Sequence, residues 1–258
     1  LHNLLSGWEV DGNDPSTYKT YPTLSESYAM SVVSPTIYRN TGFTSLTLPS
    51  GYFHGVDDIA DRFKTAAEIA ERDGGVVYLY VPELDQVGHR FGAGSSQWLA
   101  ALEEIDSAVR HLSNLKRSIA LLTADHGMVN VDTDGQIHLE TLDALKSVSF
   151  IAGGDTRSSL IYLSADEIVS DHRISDLRQK LEDELSGLVW CATWKDLETS
   201  GWVATGLQVE KQPDIVLLAS AAVTLYDRRT CKPRSLLMKG HHGSITDAET
   251  QVPLIRLS

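Results

Sequence analysis

The chain has 258 residues, 42% apolar and 22% charged, enough to bury a sizeable core, and this excludes both a disordered tract and a small stapled module. Lys and Arg number 22 against 35 Asp and Glu, a formal charge of −13 that would be repelled by a phosphate backbone and excludes a general DNA or RNA binder. Two cysteines, Cys191 and Cys231, form no C-x-x-C pair and cannot staple a fold of this size; two free thiols are expected, with a single bridge as the alternative, and the compartment stays open with the cytoplasm favoured.

No stretch reaches the ~18 uninterrupted apolar residues of a membrane helix, so no membrane span is expected. Residues 1 to 55 are rich in Ser, Thr, Pro, Gly and Tyr, with turn signals at Asp11-Gly12-Asn13-Asp14-Pro15, Ser34-Pro35 and Pro49-Ser50-Gly51. They read as loops with short strands. From Val56 to Arg72 the apolar positions Ile59, Phe63, Ala66, Ala67 and Ala70 predict an amphipathic helix ended by Asp73-Gly74-Gly75. Val76 to Val81 is a continuous apolar run and predicts a strand covered on both faces.

Behind the capping candidates Ser95 and Ser96, the positions Trp98, Leu102, Ile105, Val109 and Leu112 predict a second helix, followed by a second buried strand at Ile119 to Thr123. Further strands are expected at Leu160 to Leu163, Leu188 to Ala192 and Ile215 to Ala219, with a helix around Ile174 to Leu185. Helices alternating with apolar strands indicate an α/β fold with a mostly parallel central sheet flanked by helices. Residues 139–210 carry their own helix and strands and read as a smaller inserted α+β subdomain, leaving 1–138 and 211–258 as the core.

Three polar motifs stand out. Asp85-Gln86-Val87-Gly88-His89 follows the strand ending at Val81, and its Asp and His are four apart, a spacing that can aim a carboxylate and an imidazole at one point. Asp125-His126-Gly127 directly follows the strand ending at Thr123. Near the carboxyl end stands Gly240-His241-His242-Gly243-Ser244. Ligands of open α/β sheets bind outside the carboxyl ends of the strands, and two of the motifs would share that rim. Singly, each motif reads as a cap or a hydrogen-bonded turn. Jointly, two Asp and three or four His suit divalent cations of the zinc or manganese type and exceed what one structural zinc requires. Two cations about 4 Å apart, clamping the oxygens of a phosphoryl displacement, become the natural hypothesis.

The trio of motifs, with Thr123-Ala124-Asp125-His126-Gly127-Met128 as its centre, resembles the alkaline phosphatase superfamily and in particular the type I phosphodiesterase and nucleotide pyrophosphatase family, over about Pro22 to Ile255. The central segment alone also looks like cofactor-independent phosphoglycerate mutases. The family resemblance implies that Asp85, His89 and His242 bind one metal while Asp125 and His126 bind the other. It favours His242 over His241 through the family pattern Gly-x-His-Gly, which leaves His241 beside the site to meet substrate. It also implies a Thr or Ser nucleophile and a further metal-binding Asp, both upstream of the matched motifs.

Neither is found in residues 1 to 55. Because Leu1 stands in place of a Met start and His2 to Trp8 resembles the stretch downstream of the nucleophile region, the chain is expected to lack the amino-terminal part of an enzyme. The implied activity is hydrolysis of a phosphodiester or nucleotide pyrophosphate, with a small-molecule partner and no nucleic-acid duplex. Other reactions of the superfamily are alternatives, namely hydrolysis of phosphomonoesters or sulfates, phosphonate cleavage and phosphosugar transfer. The absence of a long inserted transferase domain argues against the mutase, and the absence of a Cys-x-Pro-x-Arg run against a sulfatase. A non-catalytic metal-binding domain is the alternative from another class.

Weaker candidates complete the reading. Gly153-Gly154-Asp155-Thr156-Arg157 reads as a surface turn with a phosphate-binding alternative. Tyr38, Phe43, Tyr52 and Phe53 read as packing aromatics that could also stack a base. Trp190, Trp194 and Trp202 are expected in the subdomain core, and His54, His111, His138 and His172 as surface or satisfied histidines.

Overall fold

The computed structural model describes residues 22–48, 51–146, 148–164, 170–207 and 211–258. The turn carrying Asp11 and Asp14, the stretch from His2 to Trp8, and Pro49 with Ser50 lie outside the described residues. In chain order the elements begin with α1 (Leu24–Ser27), β1 (Met30–Ser34), α2 (Gly42–Thr47), β2 (Tyr52–Gly55), α3 (Ile59–Asp73), β3 (Val76–Leu79), α4 (Glu83–Phe91) and α5 (Ser96–Val109). They continue through β4 (Leu121–Thr123), β5 (Val129–Asn130), β6 (Gln136–His138), α6 (Asp143–Lys146), β7 (Phe150–Asp155), β8 (Ser158–Leu163) and α7 (Asp171–Glu184). The last are β9 (Val189–Ala192), α8 (Trp194–Thr199), β10 (Ile215–Ala219), β11 (Thr224–Tyr226), β12 (Gly240–His241), α9 (Asp247–Thr250) and β13 (Leu254–Arg256). Among the described residues no helix is long and apolar enough to cross a membrane.

Contacts divide the chain into two compact units. The first takes in the described part of Leu1–Gln86 together with Ser96–Thr123 and Pro253–Ser258. Its core is the parallel sheet β2-β1-β3, in which Val32 pairs with Phe53 on one side and Tyr78 on the other. Helix α3 forms where expected: Asp58 caps it by accepting from the Asp61 amide at 2.9 Å, and Gly74, at φ 69°, ends it. Its apolar stripe of Ile59, Phe63, Ala66 and Ile69 is buried against Val33, Leu79 and Ala108 of this unit. Arg62 lies on the same stripe and is fully buried; it forks onto Glu83 at 2.8 and 3.1 Å and donates to the carbonyls of Val56, Asp57 and Tyr80.

Two expectations about burial in this unit are corrected. Strand β3 is half covered rather than enclosed, because it is an edge of its sheet among the described residues. The stretch at Ile119 to Thr123 contains β4, which among the described residues pairs only with β13, antiparallel; Ile119 is 65% and Leu121 63% exposed. An apolar run marks a strand but does not say how many neighbours that strand will find.

The second unit comprises Val87–Ser95 and Ala124–Val252. Its main sheet is antiparallel, in the order β7-β8-β10-β9. Strand β10, which follows residues 139–210 in sequence, pairs with both β8 and β9 and is buried at all five positions. Ile215, Leu217 and Ala219 face the cluster formed with Leu177, Leu181 and Leu185 of the α7 region, whereas Val216 and Leu218 face Leu197 with Trp190 and Trp194 packed against them. The period of two therefore divides one continuous apolar run between two faces. Trp202, expected in the same core, is 49% exposed. Short pairs β11-β6 (parallel) and β12-β5 (antiparallel) complete this unit.

The Gly153–Arg157 segment is a turn at the surface, as expected, with Gly154 and Asp155 exposed, but its arginine is not on the surface. The segment closes the hairpin β7–β8, where Asp155 pairs with Ser158, and Arg157 is fully buried. The phosphate-binding alternative for Arg157 falls with that burial, since both arms of its guanidinium are taken up by protein oxygens.

Candidate metal centre

Asp85 and His89 lie on α4, one turn apart on one helix face. In the first unit the fork of Arg62 onto Glu83 anchors the first turn of this helix. In the second unit Gly88 and Gly240 let α4 and β12 approach closely: a side chain at Gly240 would collide with the Gly88 carbonyl and the Met128 sulfur. That approach places the His89 ring against the Gly240 carbonyl, and the Lys239 amide donates to the His89 carbonyl at 2.8 Å. The glycines of two separate motifs thus meet each other.

His126 follows β4, and His242 follows β12. Their rings stack with centroids 3.6 Å apart and planes 15° apart, and the His89 ring lies 5.1 Å from that of His242. Three histidines that are remote in sequence are therefore gathered in the second unit. Asp125 joins them, with its Oδ1 3.7 Å from His126 Nε2 and its side chain open to solvent.

Hydrogen bonds decide which ring nitrogen carries the proton. A carbonyl only accepts, so His89 Nδ1–H donates to Gly240 O and His126 Nδ1–H donates to Gly127 O, each at 2.9 Å. That tautomer has its lone pair on Nε2. For His242 the Nδ1 edge is turned toward the Asp155 carboxylate, at 3.9 Å from Oδ2. Rings held at Nδ1 by an oxygen, with Nε2 left as the basic atom, have the arrangement of metal-ligating histidines. Imidazole nitrogens beside carboxylates also suit a borderline divalent cation. The residues fit the metal chemistry that the motifs suggested.

His241 differs in every respect and corrects the expectation that it faces substrate. It is 1% exposed. Its Nε2–H donates to Met238 O at 3.3 Å, and its Nδ1 lies 3.1 Å from the Thr156 hydroxyl, which donates to it. Burial pushes its pKa down to about 4, against a smaller upward pull from the Met238 carbonyl. The ring is neutral, of the opposite tautomer, and uses its lone pair inside the protein.

Sequence reasoning missed the residues behind these histidines. Arg157 forks onto Glu249 at 3.0 and 2.8 Å, both side chains fully buried, and Glu249 accepts from the Ser244 amide and the Thr246 hydroxyl. Desolvation by burial pushes the Glu249 pKa up, but its bonds to Arg157, Thr246 and Ser244 outweigh this and hold it below the ordinary value. The Glu249 carbonyl also accepts from the Gly127 amide at 2.7 Å, so one residue ties the loop after His242 to the loop after His126. No spacing in the sequence announces this pair.

Comparison with known proteins places the chain. The profile of the type I phosphodiesterase / nucleotide pyrophosphatase family matches residues 6–245. No curated protein sequence gives a significant match. Among solved structures, murine ectonucleotide pyrophosphatase / phosphodiesterase 5 superposes with a TM-score of 0.64 at 12% identity, over 90% of this chain and 61% of its own. An inactive variant of that murine protein, in complex with AMP, gives 0.62 at 12% identity over 90% and 60%. The human counterpart gives 0.57 at 12% identity, again over 90% and 60%. The chain thus spans about three-fifths of the length of these neighbours. They share its α/β, alkaline-phosphatase-like fold, which the sequence motifs implied. With the family profile covering most of its length, the chain belongs to the type I phosphodiesterase / nucleotide pyrophosphatase family of hydrolases.

Proposed function

We propose that the protein is a metal-dependent hydrolase of phosphodiesters or nucleotide pyrophosphates, working at Asp85, His89, Asp125, His126 and His242. The observation that carries this reading is the shared Nδ1 anchoring of His89 and His126 on backbone carbonyls beside the stacked His242, which gathers three imidazoles at one place. Asp85, His89 and His242 would hold one divalent ion, and Asp125 with His126 a second, zinc suiting these donors best and manganese next. Ions bound there would neutralise charge on the phosphoryl group and lower the pKa of the nucleophile.

The chain's own residues do the positioning. Gly240 and Gly127 carbonyls fix two imidazoles, and the solvent-open Asp125 presents its carboxylate beside His126. The Thr or Ser nucleophile that the family resemblance implies is not assigned to a residue of this chain. A nucleotide is the substrate class we favour, because the family description names nucleotide pyrophosphatases and a structural neighbour was solved with AMP.

Elemental analysis paired with hydrolysis of a chromogenic phosphodiester, a phosphomonoester and a dinucleoside pyrophosphate tests this on the full-length protein. Two transition-metal ions per chain are expected, with diester or pyrophosphate turnover that chelation abolishes. Asp125→Ala should lose one ion and at least ~100-fold in turnover. Full activity of that variant with both ions retained would sink the assignment.

A further inference from the structure

The histidines of the centre do not share one kind of support. His89 and His126 are held at Nδ1 by backbone carbonyls. His242 instead has a side chain at that edge: Asp155 Oδ2, at 3.9 Å from Nδ1. Asp155 ends β7 at the tip of the β7–β8 hairpin, about ninety residues before His242 in sequence and outside all three motifs.

The tip is built to hold that carboxylate in place. The Thr156 amide donates to Asp155 Oδ1 at 2.6 Å, leaving Oδ2 as the oxygen on the His242 side. Gly243, at φ 105°, lets the loop pass against Asp155, since a Cβ there would lie 2.9 Å from the Asp155 Cβ. The next two residues of the tip grip the same loop. Thr156 donates to His241, and Arg157 forks onto Glu249, which accepts from the Ser244 amide. The hairpin backbone is fixed in turn, with the Leu225 amide donating to the Thr156 carbonyl at 2.7 Å and the Ala219 amide to the Arg157 carbonyl at 2.9 Å.

Three consecutive side chains therefore address His242 itself, the residue before it and the loop after it. A carboxylate at Nδ1 favours the proton there and the lone pair on Nε2, the tautomer that ligation needs. We propose that Asp155 is a positioning residue for the metal centre, orienting the His242 imidazole through its Nδ1 edge, with Thr156 and Arg157 holding the hairpin tip against the ligand loop. This inference rests on the reading of His242 as a metal ligand. Asp155 itself is half exposed, so its role is separable from core stability.

The test titrates zinc and cobalt(II) into chelator-treated full-length protein, comparing the parent with Asp155→Ala, Asp155→Asn and His242→Ala. Cobalt spectra report ligand geometry, and thermal unfolding of the metal-free forms reports the scaffold. Asp155→Ala should weaken one of the ions by about 10- to 100-fold and change the cobalt spectrum, with the metal-free Tm within about 2 °C of the parent. Asp155→Asn, which keeps an oxygen for the Thr156 amide, should fall between parent and alanine variant, and it decides the matter if Asp155→Ala unfolds. Parent-like affinity and spectrum in Asp155→Asn and Asp155→Ala, while His242→Ala loses an ion, would overturn the positioning role and leave the metal reading intact. A parent that binds no ion, or a His242→Ala variant that binds as the parent does, would overturn both.

Discussion

Adjacent histidines with opposite surroundings show what a residue's neighbours decide. His241 and His242 are indistinguishable as letters, and the family pattern alone favours the second; the structure supplies the physical difference, one ring buried with both nitrogens engaged and the other stacked on His126. The substrate role expected for His241 was illegible because burial, not spacing, removes it. Cys191 gives a second case at this scale. Expected as a free thiol, it is one, fully buried on β9 where it pairs with Leu217 of β10, with burial pushing its pKa up to about 12 from about 9. A buried acid with a raised pKa stabilises the fold fully below the unfolded value and loses that contribution as pH rises toward the folded one. Stability should therefore fall between pH 9 and about 12, by at most ~4 kcal/mol from this group. Urea unfolding of parent and Cys191→Ala should show the parent's advantage shrinking by about 1.4 kcal/mol per pH unit above 9. A pH-independent difference would show that the thiol titrates normally.

Elements were legible where periodicity met a cap or a turn. Helix α3 begins at an Asp cap and stops at a left-handed glycine, and β10 was placed to the residue from its apolar run alone. What the pattern could not supply was each strand's number of partners, which is why β3 and β4 are more exposed than expected. One irregularity was visible without being understood: Arg62 interrupts the apolar stripe of α3 at a position that must face inward. It is there because Glu83 opens α4, and the pair binds the first turn of one helix to the first turn of the next. Removing one member strands a charge in a dry environment, so Glu83→Ala should cost about 3–5 kcal/mol in denaturant unfolding. Replacing Arg62 and Glu83 together by methionine and leucine should cost clearly less than that single change. Equal losses would mean that the carbonyl contacts of Arg62, rather than its ion pair, carry the effect.

For the whole molecule, the class and the family were legible because two of the three motifs follow apolar runs, and those runs contain the strands β3 and β4. The supports behind the motifs were not: Asp155, Arg157 and Glu249 come from a hairpin and a short helix whose sequences look like ordinary surface. Such groups are chosen by three-dimensional neighbours and leave no period in the chain. The close passage of α4 along β12 has one more consequence, which concerns time. The hydrogen bond from His89 to Gly240 joins positions 151 residues apart, so the ring cannot be set until most of the chain has closed on itself. On the proposed metal-dependent reading, a site made by such late closure would meet an ion only in the finished fold. Refolding half-times with zinc and with chelator should then agree, while zinc at a hundredfold excess over Kd raises equilibrium stability by about 2.7 kcal/mol per ion. Faster refolding in zinc would mean that the ion helps to draw the chain together, and the order of events would be reversed.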